Sequence, residues 1–355
     1  MSELVLVTGA TGYLAAHCVQ QLLQQNYKVR GTVRSLGNES KLKPLRSLDK
    51  ASELLELVEI DLGDTIEKWT RVVSGCDYIL HVASPFPIVA DDSVIQVAVR
   101  GTLVVMEAAN KCYGVKKVVL TSSCAAINEG HADENKVFTE GDWTDIDSPK
   151  VRSYPKSKTL AEKAAWDFVK NMETGNKFSL TCLNPTLIVG PLITVDQGAS
   201  VSIIKRFMSG AMPALPYLQM AFVDVRDVAK CHILAMKAKQ SDGKRILVTQ
   251  TPSLWFKDVA EILRKEFGQF NYPIPKYMCP YLFLWIYSFI DKESKEILDR
   301  VNRHIKFDNS QAQAMLGLEF RQIDESLIEM GHSLIDNEIL PRRNGYEERN
   351  NNNQK

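Results

Sequence analysis

The sequence predicts an α/β protein built on a doubly wound, mostly parallel sheet. Three observations carry that expectation: a strand, a glycine turn and a helix follow one another at the start; short apolar runs then alternate with amphipathic helical stretches; and marked residues stand at the ends of those runs. A chain of 355 residues with 45% hydrophobic side chains can bury a large core, as one elaborated domain or two.

Leu4-Val5-Leu6-Val7 opens the series as a short apolar run of the kind that forms a buried parallel strand. Thr8-Gly9-Ala10-Thr11-Gly12 follows at once, and from Tyr13 the apolar and small residues recur at helical spacing through Ala16, Val19, Leu22 and Leu23. In that setting Gly9 and Gly12 let the backbone approach a pyrophosphate, and the helix start offers free N–H groups and a positive dipole end. The spacing is Gly-x-x-Gly-x-x-Ala, with Ala15 where a third glycine would permit close helix-strand packing.

A second strand is expected over residues 27–33, ending in Arg34. An NAD-selective protein tends to put an acidic residue there for the ribose 2′-hydroxyl, whereas a guanidinium suits the 2′-phosphate of NADP through charge-assisted, bidentate contacts. Lys41 and Lys43 lie nearby and read equally as a solvated loop. Further strands are expected at 55–60, 78–83, 118–121 and 180–183, with a helix over 94–112 that carries Val97, Val104, Val105, Ala108 and Ala109. Ligands of such sheets lie at the carboxyl ends of the strands, and Gly9, Arg34, Asp61, Ala83, Ser123 and Pro185 all fall there. Downstream, Tyr154 and Lys158 stand four apart in Ser153-Tyr154-Pro155-Lys156-Ser157-Lys158, so on a helix they share one face. Pro155 disfavours the helical conformation for the residue before it, which sets Tyr154 at the helix boundary with proline in the first turn.

The series Thr8-Gly9-x-x-Gly12, His81-Val82-Ala83-Ser84-Pro85, Thr121-Ser122-Ser123, Tyr154-x-x-x-Lys158 with Thr159-Leu160-Ala161-Glu162-Lys163, and Asn184-Pro185-Thr186-x-x-x-Gly190-Pro191 resembles the extended short-chain dehydrogenase/reductases. Within them it is most similar to the dihydroflavonol reductase and carbonyl reductase branch, over residues 3–340. The resemblance implies a Rossmann-type domain over 1–185, a smaller substrate-binding lobe over 186–341 interleaved with it, and NADP(H) as cofactor. It implies that Ser123 polarises a substrate carbonyl, that Tyr154 donates the proton, and that Lys158 holds the nicotinamide ribose while lowering the tyrosine pKa. A free tyrosine titrates near 10, and a neighbouring cation can lower such a pKa by about 1 to 3 units, toward the range where proton exchange is efficient.

Cofactor contacts are implied for Gly9, Ala10, Thr11, Gly12, Tyr13 and Leu14 at the pyrophosphate, Arg34 and Lys41 at the 2′-phosphate, and Asp61 and Leu62 at the adenine. Ala83, Ser84, Pro185 and Ile188 are expected beside the nicotinamide, with Val82 and Ser200 as further cofactor contacts. Ser84 and Asn128, the latter five residues after Ser123, are the expected substrate contacts; a local loop hydrogen bond is the other reading of Asn128. The expected reaction is NADPH-dependent reduction of a ketone or aldehyde to an alcohol. A hydroxysteroid dehydrogenase or a nucleotide-sugar epimerase or dehydratase are alternatives on the same fold. Against sugar dehydration, Cys124 and Ala125 stand where an acidic pair would follow Ser123; against a tightly held NAD stands Arg34. A non-catalytic NADP-binding regulator would keep Gly9 and Gly12 and lose the catalytic hydroxyls, all of which are present.

With 43 basic and 43 acidic side chains, no global charge recruits nucleic acid or an anionic membrane. Seven cysteines without Cys-x-x-Cys spacing, and six scattered histidines, argue against a disulfide framework and against a metal site. Cys124 reads as a small buried residue, with a redox-sensitive thiol as the alternative. No secretory signal precedes the first strand, so the expected compartment is the cytoplasm. The expected partner is a small-molecule carbonyl substrate, with the chain a monomer or homodimer. Past Gly190, the run from Phe222 through Asp227 reads as a strand entering a helix with Asp227 as its N-cap. Residues 278–290, from Met278 to a final Ile290, form the most apolar stretch, too short for the roughly 20 residues of a membrane span. A core helix is its first reading, with a lid over a bulky hydrophobic substrate or a membrane or partner contact as alternatives. The polar residues 342–355 are expected to be disordered.

Overall fold

Seven parallel strands organise the chain: β1 (Leu4–Val7), β2 (Lys28–Val33), β3 (Leu55–Glu59), β4 (Tyr78–His81), β5 (Lys117–Thr121), β6 (Ser179–Pro185) and β7 (Lys244–Val248). The computed structural model describes residues 3–84, 91–133, 135–195, 198–343 and 345–347; Pro85 and the tail from residue 348, Asn350 included, lie outside the described residues. The strand order is β3-β2-β1-β4-β5-β6-β7, so the chain winds outward from β1 in one direction, then crosses back and winds outward in the other. The reversal lies between β1 and β4, where the carboxyl ends of doubly wound sheets leave a crevice. Register brings Val7 opposite both Gly31 and Leu80, which levels the ends of β1, β2 and β4 at that crevice.

Side chains alternate across the sheet and fill a core on each face. Helices α1 (Tyr13–Gln24), α2 (Ile66–Val73), α3 (Ser93–Lys111), α4 (Ser153–Lys170) and α5 (Val225–Lys237) supply the covering layers. Val5, Val7, Leu80 and Val119 pack with Leu22 and Leu23 of α1 and Val228 of α5. Leu6, Ile79, Val118 and Leu120 pack on the other face with Trp69 of α2 and Val105 of α3. A further core forms among residues of the second half of the chain, in which Phe207, Phe256, Phe267, Leu327 and Met330 are buried and the Phe207 and Phe256 rings stand 5.0 Å apart.

Four features differ from the sequence expectation. The strand β7 was not foreseen: it lies in the 186–341 stretch, opens on two cations, and pairs with β6. The N-cap of α5 is Asp224, whose carboxylate accepts the Arg226 N–H at 2.7 Å. Asp227 instead lies inside the helix and is held by the backbone and guanidinium of Arg321. Residues 278–290 are not a core helix: the helical part, α6 (Tyr281–Tyr287), buries only Leu284, while Leu282 is 60% exposed and Phe289 beyond it 73%. Within the tail expected to be disordered, Tyr346 is buried and its hydroxyl meets His332 Nδ1 at 2.9 Å. Among the described residues, no helix is long and apolar enough to cross a membrane.

Candidate active site

A cavity of about 1350 Å³ runs along the carboxyl ends of the strands, from the turn after β1 to α6. The turn is shaped by backbone demands. Gly9 takes φ +67°, and a Cβ there would stand 3.0 Å from the Ala83 side chain, so only glycine fits without strain. Its N–H donates to Thr32 Oγ1 at 2.9 Å, and the Gly12 N–H donates to the Gly9 carbonyl at 2.8 Å. Gly12 is the N-cap of α1 and offers no side-chain cap, and the first turn holds no acidic residue. The start of α1 therefore presents N–H groups and the positive dipole end to the cavity, beside Thr11, Tyr13 and Leu14.

Ala10 does not join them. Its N–H is spent on the Thr32 carbonyl at 2.8 Å, and its methyl is fully buried where a Cβ on Gly31 would approach within 2.8 Å. A small residue here allows the turn to lie close to β2. The Tyr13 hydroxyl donates to the Gly190 carbonyl at 2.8 Å and ties the turn to the chain beyond β6; burial pushes its pKa well above the ordinary value.

Arg34 is exposed just past β2 and has no ion-pair partner among the described residues; with Lys41, Ser35 and Asn38 it lines one end of the cavity. Asn38 caps the helix Glu39–Arg46 by accepting the Lys41 N–H at 3.3 Å, a cap signal the sequence carried and the reading missed. Asp61 and Leu62 line the neighbouring wall, and the Asp61 carboxylate accepts the Gly63 N–H at 2.8 Å. Val82, Ala83, Ser84, Pro185, Ile188 and Ser200 also face the cavity. Thr8 Oγ1 sets that region by accepting the Ala83 N–H and meeting His81 Nδ1, each at 2.9 Å. Burial, then the Lys158 charge, lowers the His81 pKa to about 3, so this histidine is a neutral strut.

Beyond β5 the chain turns through Ser123, whose Oγ accepts the Ala125 N–H at 3.1 Å. Tyr154 is the second residue of α4 with Pro155 in the first turn, and it lines the cavity with Ser123, which acts to lower its pKa. Lys158, one turn on, is buried and donates from Nζ to the Thr121 carbonyl at 3.3 Å. The electrostatics depart from expectation. Burial raises the Tyr154 pKa well above the ordinary tyrosine value. Lys158 itself is lowered to about 8, because desolvation penalises its cation more than the Glu162 carboxylate supports it. Cys124 lines the cavity with its thiol pushed up to about 12 by burial, which disfavours the thiolate a redox-sensitive cysteine needs.

Behind these residues sits a buried ionic cluster that the sequence reading did not find. Glu162, on the face of α4 one turn past Lys158, accepts from Ser122 Oγ at 2.5 Å, Asn184 Nδ2 at 2.8 Å and Arg245 Nε at 2.6 Å. Asn184 also donates to the Ser123 carbonyl at 3.1 Å, so the cluster reaches the backbone of the serine turn. Asn128 lines the cavity, and its Oδ1 is buried without a hydrogen-bond partner among the described residues. Glu129 and Arg300, paired at 2.7 Å, line the same end; they come from remote parts of the chain, and no local spacing announces them. Among the described residues, no group of three or more His, Cys, Asp or Glu is placed to hold a metal ion.

A parallel sheet with its crevice at the reversal point, an uncapped glycine turn opening α1, and a Ser-Tyr-Lys group at the far side define a Rossmann-type dinucleotide-binding protein. The chain belongs to the NAD dependent epimerase/dehydratase family, whose model matches residues 5–248. Within it the chain falls in the extended short-chain dehydrogenase/reductases, on the branch of the dihydroflavonol and carbonyl reductases. It is 36% identical over 344 residues to cinnamoyl-CoA reductase 2 of Arabidopsis thaliana, a match covering 96% of this chain and 94% of that protein. Its fold is similar to that of the yeast methylglyoxal/isovaleraldehyde reductase Gre2 complexed with NADPH, with a TM-score of 0.78 and 27% identity over 94% of this chain and 99% of that one. Gre2 of Candida albicans in complex with NADPH gives 0.77 and 31%, over 94% and 98%.

Proposed function

We propose that this chain is an NADPH-dependent carbonyl reductase in which Ser123, Tyr154 and Lys158 act on a ketone or aldehyde. The chain is an NADP-dependent oxidoreductase by family and by its similarity to reductases bound to NADPH. The observation that carries the catalytic reading is that Ser123, Tyr154 and Lys158 line one cavity together with the α1 turn and Arg34. The residues suit the cofactor: the uncapped start of α1 accepts a pyrophosphate, and the Arg34 guanidinium, which has no ion-pair partner among the described residues, a 2′-phosphate. When bound, NADPH supplies the hydride that adds to the carbonyl carbon. Ser123 Oγ donates a hydrogen bond to the carbonyl oxygen and favours the negative charge growing there. Tyr154, protonated at neutral pH by its burial, delivers the proton that completes the alcohol. Lys158, as a cation, steadies the phenolate left behind.

The test follows NADPH consumption, with NADH in parallel, against α-dicarbonyls, aromatic aldehydes, ketosteroids, dihydroflavonols and nucleotide sugars. Carbonyl turnover with NADPH preferred is the expected result. Cofactor binding with no turnover would instead favour a regulatory NADP-binding protein, and nucleotide-sugar conversion without net NADPH loss would favour the epimerase reading.

Cofactor choice is tested separately. Arg34→Asp is expected to weaken NADPH binding by about 10-fold to 100-fold, the range of a lost charge-assisted hydrogen bond. NADH affinity should hold, because its ribose carries no phosphate. Titration with both dinucleotides checks this, and an equal loss for the two would remove Arg34 from the 2′-phosphate site.

A further inference from the structure

We infer that the substrate is an elongated, lipophilic aldehyde or ketone whose carbonyl lies at Ser123 and Tyr154 while its apolar chain runs along Phe283, Ile286 and Ile290. The inference rests on the reductase reading above and narrows it to a substrate class. The cavity of about 1350 Å³ exceeds the roughly 300–1,000 Å³ of an ordinary single-ligand pocket, so it has room for an extended molecule beside a dinucleotide.

At its end toward α6, the cavity lining includes the apolar residues Met212, Leu218 and Phe256 and, on α6 itself, Phe283 and Ile286. The arginines that line this end are paired with carboxylates: Arg300 with Glu129 at 2.7 Å, Arg152 with Asp299 at 3.0 Å and Arg206 with Asp291 at 3.7 Å. A phosphorylated tail would have to break such a pair, whereas a neutral chain leaves them intact. The apolar wall is also partly in water. Phe283, Ile286 and Ile290 line the cavity yet are 64%, 51% and 84% exposed. An apolar patch continuous with a catalytic cavity is surface that a lipophilic ligand removes from water on binding.

The experiment is a chain-length series of straight-chain aldehydes and 2-ketones, from about four to about twelve carbons, assayed with NADPH. kcat/KM is expected to rise about threefold to fourfold per added methylene, the gain for burying one CH₂, until the chain has spanned the wall. In Ile286→Ser the ratio of long-chain to short-chain kcat/KM should fall at least about tenfold, since a cavity-wall isobutyl-sized group is lost. Trp285→Ser, at a 44% exposed residue that does not line the cavity and lies on the helix face opposite Phe283, should keep the parental ratio. NADPH titration of each variant reports that it is folded.

A flat or falling series, with short carbonyls still reduced, overturns the lipophilic class and leaves the reductase reading standing. A Trp285→Ser loss as large as that of Ile286→Ser overturns it too, by placing the chain on the outer surface. If no carbonyl in the series is reduced, the reductase reading fails and this inference fails with it.

Discussion

Tyr154→Phe is expected to lower kcat by about 10²-fold to 10⁴-fold, the range for losing a positioned general acid, while NADPH still binds. The hydroxyl is the only part removed, and the ring keeps its place at the start of α4. A parental turnover rate in this variant would end the mechanism. The pH dependence follows from two burial effects of opposite kind. Tyr154 is held protonated at neutral pH, the right state for a donor but a costly one to leave, since a phenolate in the same surroundings is disfavoured. The nearby Lys158 can offset that cost only as a cation, and its pKa is lowered to about 8. Below that value the lysine is charged and above it neutral, so kcat/KM for reduction should fall as pH rises through about 8. Lys158→Met should be slow throughout and lack that limb. A parental profile with no change near that pH would separate the lysine from the proton transfer.

Much of the site was legible because its signals are local. Thr8 to Leu14 combines a buried strand, turn glycines and helical spacing within one short stretch, and Tyr154 and Lys158 follow from a four-residue helical interval. The residues expected at the site all line one cavity except Ala10, whose backbone and side chain are both claimed by β2. What could not be read depends on partners distant in the chain. The strand β7 opens with Lys244 and Arg245, charges that look solvated until Arg245 is seen to bond Glu162. Asp224 and Asp227 are equally good caps by type, and only the approach of Arg321 decides between them. The sequence of α6 shows that its residues avoid water but names no neighbour, and the structure leaves most of them facing a cavity or solvent. The sign of the Tyr154 shift was missed for a related reason. A Tyr-x-x-x-Lys interval reveals a cation on the same helix face and says nothing of how deeply both are buried.

Arg245→Met should cost roughly 3–5 kcal/mol of stability, as expected when one partner of a buried ion pair is removed and the other keeps its charge. Glu162 is fully buried and the Arg245 side chain nearly so, and their Nε to Oε1 contact is 2.6 Å. The guanidinium is further fixed 3.6 Å above the Trp143 ring and by the Glu140 carbonyl at 2.8 Å. The double variant Glu162→Gln, Arg245→Met removes both charges, so its loss should be clearly smaller than the sum of the single losses. Denaturant unfolding of the four proteins measures this, and additive losses would mean that the pair is not coupled. The cluster is also expected to act on catalysis through charge. The Glu162 carboxylate raises the Lys158 pKa against the larger lowering by burial, so Glu162→Gln should lower it further. The alkaline limb of the kcat/KM profile then moves to lower pH, and reduction is lost sooner as pH rises. A change in folding stability alone would leave that limb in place. Its movement would therefore mark Glu162 as a positioning residue that tunes the lysine, held in place by a strand from the second half of the chain.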